Sequence, residues 1–252
     1  MTRARSVVAA WLGIAAVFSA VARPTRAQSE GDFAAFAALI LTPIGALPPV
    51  VRAPMMQGGP LGSGLHVRYG HYEFDGSEPA IHNIGVGGDF EAGTGRTGVT
   101  VGFQTCDGCD GTLMLGFDYT APLLQRVIGA TATPSNTSTL GVAVSPSLGV
   151  ARTLGSDANT TLFSVSVGLP VSLAARLAEH AQLVPFITPG FGFGMASGNG
   201  QTDSGVRFVL GGGVGVANVG PGVGLTLGFQ RVFIEGGPTQ WGLGFTWHGP
   251  AK

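Results

Sequence analysis

The chain has 252 residues, of which 11% are charged and 43 are glycine, and its formal net charge is −1. Typical soluble domains carry about a quarter charged residues, so these charges are too few to coat an ordinary soluble surface. The near-neutral balance also gives no electrostatic basis for nucleic-acid binding, and no basic stripe is present. No apolar run after the N-terminus is both long enough and free of proline to span a bilayer as a helix.

Residues 1–27 have the layout of a secretory signal peptide. Two arginines precede an apolar stretch at residues 7–18, and small residues follow. Cleavage after Ala27 or after Ala22 fits the rule of small residues at the site. An uncleaved anchor helix is the alternative, although the apolar stretch is short for a bilayer span. The sequence therefore predicts export.

Residues 28–62 are interpreted as a periplasmic N-terminal segment. The part from 32 to 51 is apolar without a two-residue period, and its apolar residues share one face if it is a short helix ended by prolines. It could pack against the lower rim of the following domain or enter its interior as a plug. An N-terminal membrane anchor is a further alternative, and all three interpretations stay open.

Residues 63–249 show the two-residue period of β-strands, with large apolar residues alternating with Gly, Thr, Ser or Gln. Turn formers such as Asp75-Gly76-Ser77 and Gly220-Pro221-Gly222 separate the runs. An even number of strands would place both termini on the periplasmic side, and eight strands are possible if one or two N-terminal runs lie outside the sheet. The ten predicted strands cover about 64–75, 80–91, 97–105, 112–122, 139–153, 160–174, 182–195, 205–217, 223–233 and 239–248.

The two faces of these strands favour a lipid-facing barrel over a soluble sandwich. In a sandwich the second face meets water and carries Lys and Glu, whereas here it carries glycine and hydroxyl groups. In lipid every backbone polar group must be paired internally, so the strands must close on themselves. The predicted fold is an all-β, transmembrane, antiparallel up-and-down barrel.

A few ionisable and amide residues have the parity of the inner face. In a narrow interior such charges are expected to pair, since a lone charge there is costly. The set forms either a structural network that closes the bore or the constriction of a narrow pore that selects solutes. This candidate lumen polar network consists of Arg68, Asp89, Gln104, Asp118, Arg207 and Gln230.

Cys106 and Cys109 are the only cysteines, and they flank a predicted hairpin tip. In an exported protein this spacing most simply predicts a local disulfide. Zinc would need four ligands, and no second pair is near. The histidines form no Ser-His-acid grouping by spacing. The sequence therefore predicts no catalytic, cofactor-binding or metal site, and no enzyme.

The last strand carries a short motif. Gln240, Gly242, Phe245 and Trp247 fit the polar-x-Gly-x-x-aromatic-x-aromatic pattern that resembles the C-terminal signal of outer-membrane proteins, which is read by the barrel-assembly machinery. The motif departs from the usual pattern because residues 248–252 follow the final aromatic. Over roughly residues 60–248 the chain resembles small bacterial outer-membrane β-barrel proteins.

That resemblance implies location in the outer membrane of a double-membrane bacterium, with membrane lipid and the assembly machinery as partners. It implies no particular activity and no cofactor. The leading hypothesis is a non-enzymatic barrel with a structural or surface-display role in the envelope. The alternatives are a narrow passive channel for small solutes and a soluble periplasmic β-sandwich or lipocalin-like binder.

Overall fold

The computed structural model describes residues 64–73, 81–106, 111–128, 138–154, 160–177, 181–198, 201–220, 222–233 and 239–248. Within these ranges no helix is long and apolar enough to cross a membrane. The signal peptide and the segment 28–62 lie outside the described residues. The strands are β1 (Gly64–Glu73), β2 (Ile81–Ala92), β3 (Gly95–Cys106), β4 (Thr112–Ile128), β5 (Ser138–Thr153), β6 (Thr161–Gly168), β7 (Val171–Arg176), β8 (Gln182–Gly198), β9 (Gln201–Gly220), β10 (Val223–Val232) and β11 (Thr239–His248).

All strands pair antiparallel with their neighbours, and the first strand pairs with the last. β1 runs against β11 from Gly64↔His248 to Glu73↔Thr239, while its other edge pairs with β2. The pairings of β4 with β5 and of β7 with β8 complete the ring. The sheet therefore has no free edge, and the predicted closed, up-and-down, antiparallel barrel is confirmed.

β6 and β7 are two parts of one strand position in the barrel. Both pair with β5 on one side and with β8 on the other, in continuous register. Pro170 lacks an amide hydrogen and interrupts the ladder. Around it the Leu169 amide donates to the Pro189 carbonyl at 2.8 Å, and the Pro170 carbonyl accepts from the Ala143 amide at 2.9 Å. The barrel thus has 10 strands in the sense of the prediction, and the eight-strand alternative is wrong.

Several strand ends differ from the predicted ones. β3 begins at Gly95 rather than 97, because a turn with Gly93 at φ 64° joins it directly to β2. β4 continues to Ile128 past a register shift between Pro122 and Leu124. The early start of β3 has a consequence for the interior, since it brings Arg96 into the ladder opposite Glu91.

The outer face is apolar along the middle of the strands. Large side chains such as Leu115, Leu227 and Leu243 point outward and are 43%, 48% and 55% exposed. Outward-pointing charged side chains in the described part of the chain are Arg126, Arg152 and Arg231, and each lies close to the end of its strand. An apolar belt bounded by charges at its margins is what a hydrocarbon slab requires.

Leu227→Arg tests this outer face. Leu227 lies in the middle of β10 and points outward, so the charge would face hydrocarbon and should lower the free energy of unfolding by about 2–4 kcal/mol. The measurement is urea unfolding of the protein folded into lipid vesicles. Thr105→Arg is the matched control, because Thr105 also points outward but lies one residue from the end of β3, where the expected cost is about 0–1 kcal/mol. Equal effects at the two positions would contradict the lipid-facing assignment.

Candidate functional site: the interior of the barrel

The inner face of β10, β11 and β1 to β4 carries long polar side chains that are almost fully buried. Their exposed fractions lie between 0% for His66 and 7% for Gln230. Because inward residues alternate with outward ones along each strand, antiparallel pairing brings them into rows across the sheet. The members are His66, Arg68, Asn83, Asp89, Arg96, Thr100, Gln104, Asp118, Gln230 and Gln240.

Three of these side chains form a hydrogen-bonded chain across β1, β2 and β3. His66 Nδ1 lies 3.2 Å from Asp89 Oδ2, and His66 Nε2 lies 2.9 Å from Thr100 Oγ1. A carboxylate only accepts hydrogen bonds, so Nδ1 donates to ionised Asp89, and a neutral ring then accepts the Thr100 hydroxyl at Nε2. The arrangement fixes the tautomer and the orientation of the imidazole.

Gly87 makes room for this chain. It stands opposite His66 on β1 and opposite Thr100 on β3. A Cβ atom at Gly87 would collide with the Val99 carbonyl oxygen and with the imidazole, whose Cε1 would be 2.7 Å away. His66 can therefore lie over β2 only because position 87 has no side chain.

The same rule places the amide side chains. Gly70 faces Asn83 across the β1–β2 pair, and a Cβ atom there would lie 2.8 Å from Gln240 Nε2 and would also meet Asn83 Oδ1. Asn83 in turn is paired with Gln104, and Gln240 with Gln230. These amide side chains lie at one level of the inner face, from β10 through β11 and β2 to β3, and they extend over Gly70 of β1.

The charged members cluster on the same part of the wall. Asp89 and Asp118 stand on either side of Gly98, and Arg96 lies two residues from Gly98 on the same inward face. Arg68 is 6% exposed and faces a glycine on each neighbouring strand, at 85 and 244. Two arginines and two aspartates are thus buried on this side of the wall, where opposite charges favour each other's burial.

The remaining inner face carries mainly small residues and one apolar cluster. Met114, Ala151, Leu162 and Ala196 form a buried cluster on β4, β5, β6 and β8. Hydroxyl pairs fill the wall beside it, with Thr120 Oγ1 at 2.7 Å from Ser145 Oγ and with Ser147 bonded to Ser166. The inner face therefore has one half with long polar side chains and one half with mainly small residues and an apolar cluster.

The residues of the predicted lumen polar network differ in their location and burial. Arg68, Asp89, Gln104, Asp118 and Gln230 lie in the polar half, each at most 7% exposed. Arg207 points inward on β9 but is only half-buried, and its Nη1 donates to the Val206 carbonyl at 2.8 Å. Whether these residues act as a functional network stays a prediction.

The other predicted positions lie elsewhere. Gln240 and Gly242 point inward on β11, whereas Phe245 and Trp247 point outward and are 42% and 46% exposed. Their role in assembly stays a prediction. Cys106 ends β3, but Cys109 lies outside the described residues, so the disulfide prediction does too.

Sequence reasoning missed His66, Asn83, Arg96 and Thr100 as partners in the interior. His66 shares the parity of Arg68, so its inward direction was readable from the sequence. Its contact with Asp89 and Thr100 depends on the register between three strands, which parity alone does not fix. Arg96 was missed because the predicted strand started at residue 97, two residues after the observed start at Gly95.

Comparison with known proteins finds likeness at the level of architecture. No protein-family model matches the chain, and no curated protein matches it. The β-domain of the Bordetella autotransporter Brka aligns at 16% identity and a TM-score of 0.38, covering 74% of this chain and 98% of that one. An outer-membrane channel from Pseudomonas putida F1 aligns at 13% identity and a TM-score of 0.39, covering 75% and 96%.

A third solved structure is Ail, the attachment invasion locus protein of Yersinia pestis. It aligns at 14% identity and a TM-score of 0.31, covering 74% of this chain and 97% of that one. All three are bacterial β-barrel proteins or domains. With scores this low the likeness transfers no role, and the strand pairing described above is what establishes the barrel.

Thr100→Val tests the buried chain of hydrogen bonds. The change keeps the shape of the side chain but removes the hydroxyl that satisfies His66 Nε2, so it should lower the free energy of unfolding by about 1–3 kcal/mol. Urea unfolding in lipid vesicles measures this loss. Thr97→Val, on the outward face of the same strand, should change stability by no more than about 0.5 kcal/mol. A Thr100 effect as small as that of the control would show that the bond contributes nothing.

Gly87→Ala tests the space under the imidazole. The added methyl group would meet backbone oxygen as well as His66, and rotation of the side chain cannot relieve a backbone clash, so a loss of about 1–3 kcal/mol is expected. Gly220→Ala is the control, because the nearest atom to its Cβ would be 3.8 Å away. The same vesicle-based unfolding measurement applies, and an unchanged midpoint for Gly87→Ala would contradict the packing.

Proposed function

We propose that this protein is a non-enzymatic outer-membrane barrel with a closed bore, which serves the cell envelope structurally or displays its outer loops. One observation carries the proposal: most long inward side chains are buried whether they are polar or apolar, although Arg207 is only half-buried. His66 and Val184 are both 0% exposed, and Met114 and Leu162 are 2% and 3% exposed. A solute path through the described strands would need these side chains to move.

The outer surface supports a membrane location. Rows of half-exposed leucine, valine and aromatic side chains surround the middle of the strands, and the outward arginines lie near strand ends. In water such a continuous apolar belt would drive aggregation, whereas in lipid it costs nothing. The predicted export signal and the C-terminal motif agree with this location. A soluble β-sandwich or lipocalin-like binder would not present this belt.

The interior supports a passive role rather than an aqueous channel. A water-filled lumen is lined by polar groups, because exposing apolar side chains to water is unfavourable. Here half of the wall carries the cluster of Met114, Ala151, Leu162 and Ala196, and the polar half is equally buried. Where a long side chain lies over an inward-facing glycine, as His66 lies over Gly87, the glycine leaves no open space.

The buried chain of hydrogen bonds supports the absence of enzymatic activity. Asp89, His66 and Thr100 follow the order of acid, histidine and hydroxyl nucleophile that hydrolases use. All three are at most 3% exposed, so a substrate carbonyl has no approach to the hydroxyl. The geometry suits a structural link between three strands.

Conductance in a planar lipid bilayer tests the closed bore. Protein extracted from the outer-membrane fraction should first show a faster gel band unboiled than boiled, which reports a detergent-resistant barrel. We expect this folded protein to give no steady openings, because the side chains of the polar half and the apolar cluster fill the interior.

Two charge reversals make the measurement decisive. Steady openings whose ion selectivity changes in Arg207→Glu would overturn the closed bore in favour of a narrow channel. Arg231→Glu is the matched control, since Arg231 points outward on β10 and should leave any selectivity unchanged. Recovery of the protein in the soluble periplasm, without a mobility shift, would overturn the membrane assignment itself.

A further inference from the structure

Two histidines face each other on the outer surface of the barrel, at the end of the β1–β2 hairpin that is opposite the N-terminus of β1. His71 and His82 are directly paired in the β1–β2 register. Both side chains are half-buried, and their ring centroids are 4.9 Å apart. Neither belongs to the interior described above, because His71 has the opposite parity to His66 and Arg68.

Polar atoms of His71 and Tyr69 lie close to one nitrogen of His82. His71 Nδ1 lies 3.4 Å from His82 Nδ1, and the Tyr69 hydroxyl lies 2.7 Å from the same His82 nitrogen. An imidazole nitrogen carries either one hydrogen or one lone pair, so His82 Nδ1 can make only one of these two bonds well. Tyr69 and His71 thus compete for the same nitrogen of His82.

We propose that His71 and His82 bind a divalent transition-metal ion of the zinc, copper or nickel class through their Nδ1 atoms. Metal–imidazole bonds are about 2.0–2.1 Å long, so two ligands at a tetrahedral angle stand about 3.3–3.4 Å apart. The observed separation of 3.4 Å matches that spacing without rearrangement of the backbone. Imidazole is a preferred ligand of these ions.

The rest of the coordination sphere follows from the position. The described residues hold no group of three His, Cys, Asp or Glu side chains that could bind a metal. Water therefore completes the sphere, with the Tyr69 hydroxyl beside it. Such a two-histidine site favours exchangeable binding at the membrane surface over a permanent structural ion. It would also tie β1 to β2 next to the seam where β1 meets β11.

Trp241 provides a local probe. It lies directly opposite His71 on β11, on the same outward face, and is 48% exposed. Bound Cu²⁺ quenches tryptophan fluorescence only at short range. Trp247 is six residues further along β11, about 20 Å away along the strand. The Trp247→Phe variant keeps Trp241, which reports on the position next to His71. The Trp241→Phe variant keeps Trp247, which reports on the far end of the same strand.

The experiment is a Cu²⁺ titration of the folded barrel in detergent micelles, with unboiled gel mobility as the check of folding. In Trp247→Phe we expect saturable quenching at one equivalent, reversed by EDTA and competed by Zn²⁺, which does not quench. His71→Gln and His82→Gln, made in that background, should each weaken the apparent affinity at least about tenfold. Trp241→Phe should show little quenching.

Three results would overturn the site. Quenching that is not saturable would indicate adventitious copper. Quenching of equal size in Trp241→Phe would place the ion elsewhere on the barrel. Unchanged affinity in the doubly substituted His71→Gln, His82→Gln protein, with normal gel mobility, would show that these imidazoles are not the ligands. None of these results depends on whether the bore is closed, so the site and the proposed function can fail separately.

Discussion

The pairing of β1 with β11 is the interaction on which the rest of the structure depends. A strand edge exposed to hydrocarbon leaves amide and carbonyl groups without partners, at a cost of several kcal/mol for each group. The ten register pairs from Gly64↔His248 to Glu73↔Thr239 remove both edges at once. With the ladder closed, the outer face can be apolar throughout, and polar side chains have only the interior left.

The small circumference of the barrel then dictates what the interior can hold. Inward side chains of neighbouring strands stand side by side, so the space over each residue depends on the residues paired with it. Several long residues face a glycine, as His66 faces Gly87, Met114 faces Gly102 and Arg207 faces Gly192. Part of the glycine content is thus the complement of long inward residues, whereas other glycines face each other, as Gly168 faces Gly190.

The sequence shows the faces of the strands better than the contacts between them. Alternation alone predicted the all-β class, the strand number and the inward direction of Arg68, Asp89 and Asp118, because a two-residue period is a local property. Alternation could not show that Asp89, His66 and Thr100 meet, since their contact requires the registers of β1, β2 and β3 together. Pro170 also separates β6 from β7, whereas the apolar pattern predicted one continuous strand there.

The distribution of polar groups also limits where this molecule can interact with anything. The belt at mid-strand is apolar, and most long polar side chains of the inner face are buried. Charged and imidazole side chains on the outer surface lie towards the strand ends, where Arg152 and Arg231 border the apolar belt and where His71 is paired with His82. This distribution is expected where a rigid scaffold carries its connections at the rims.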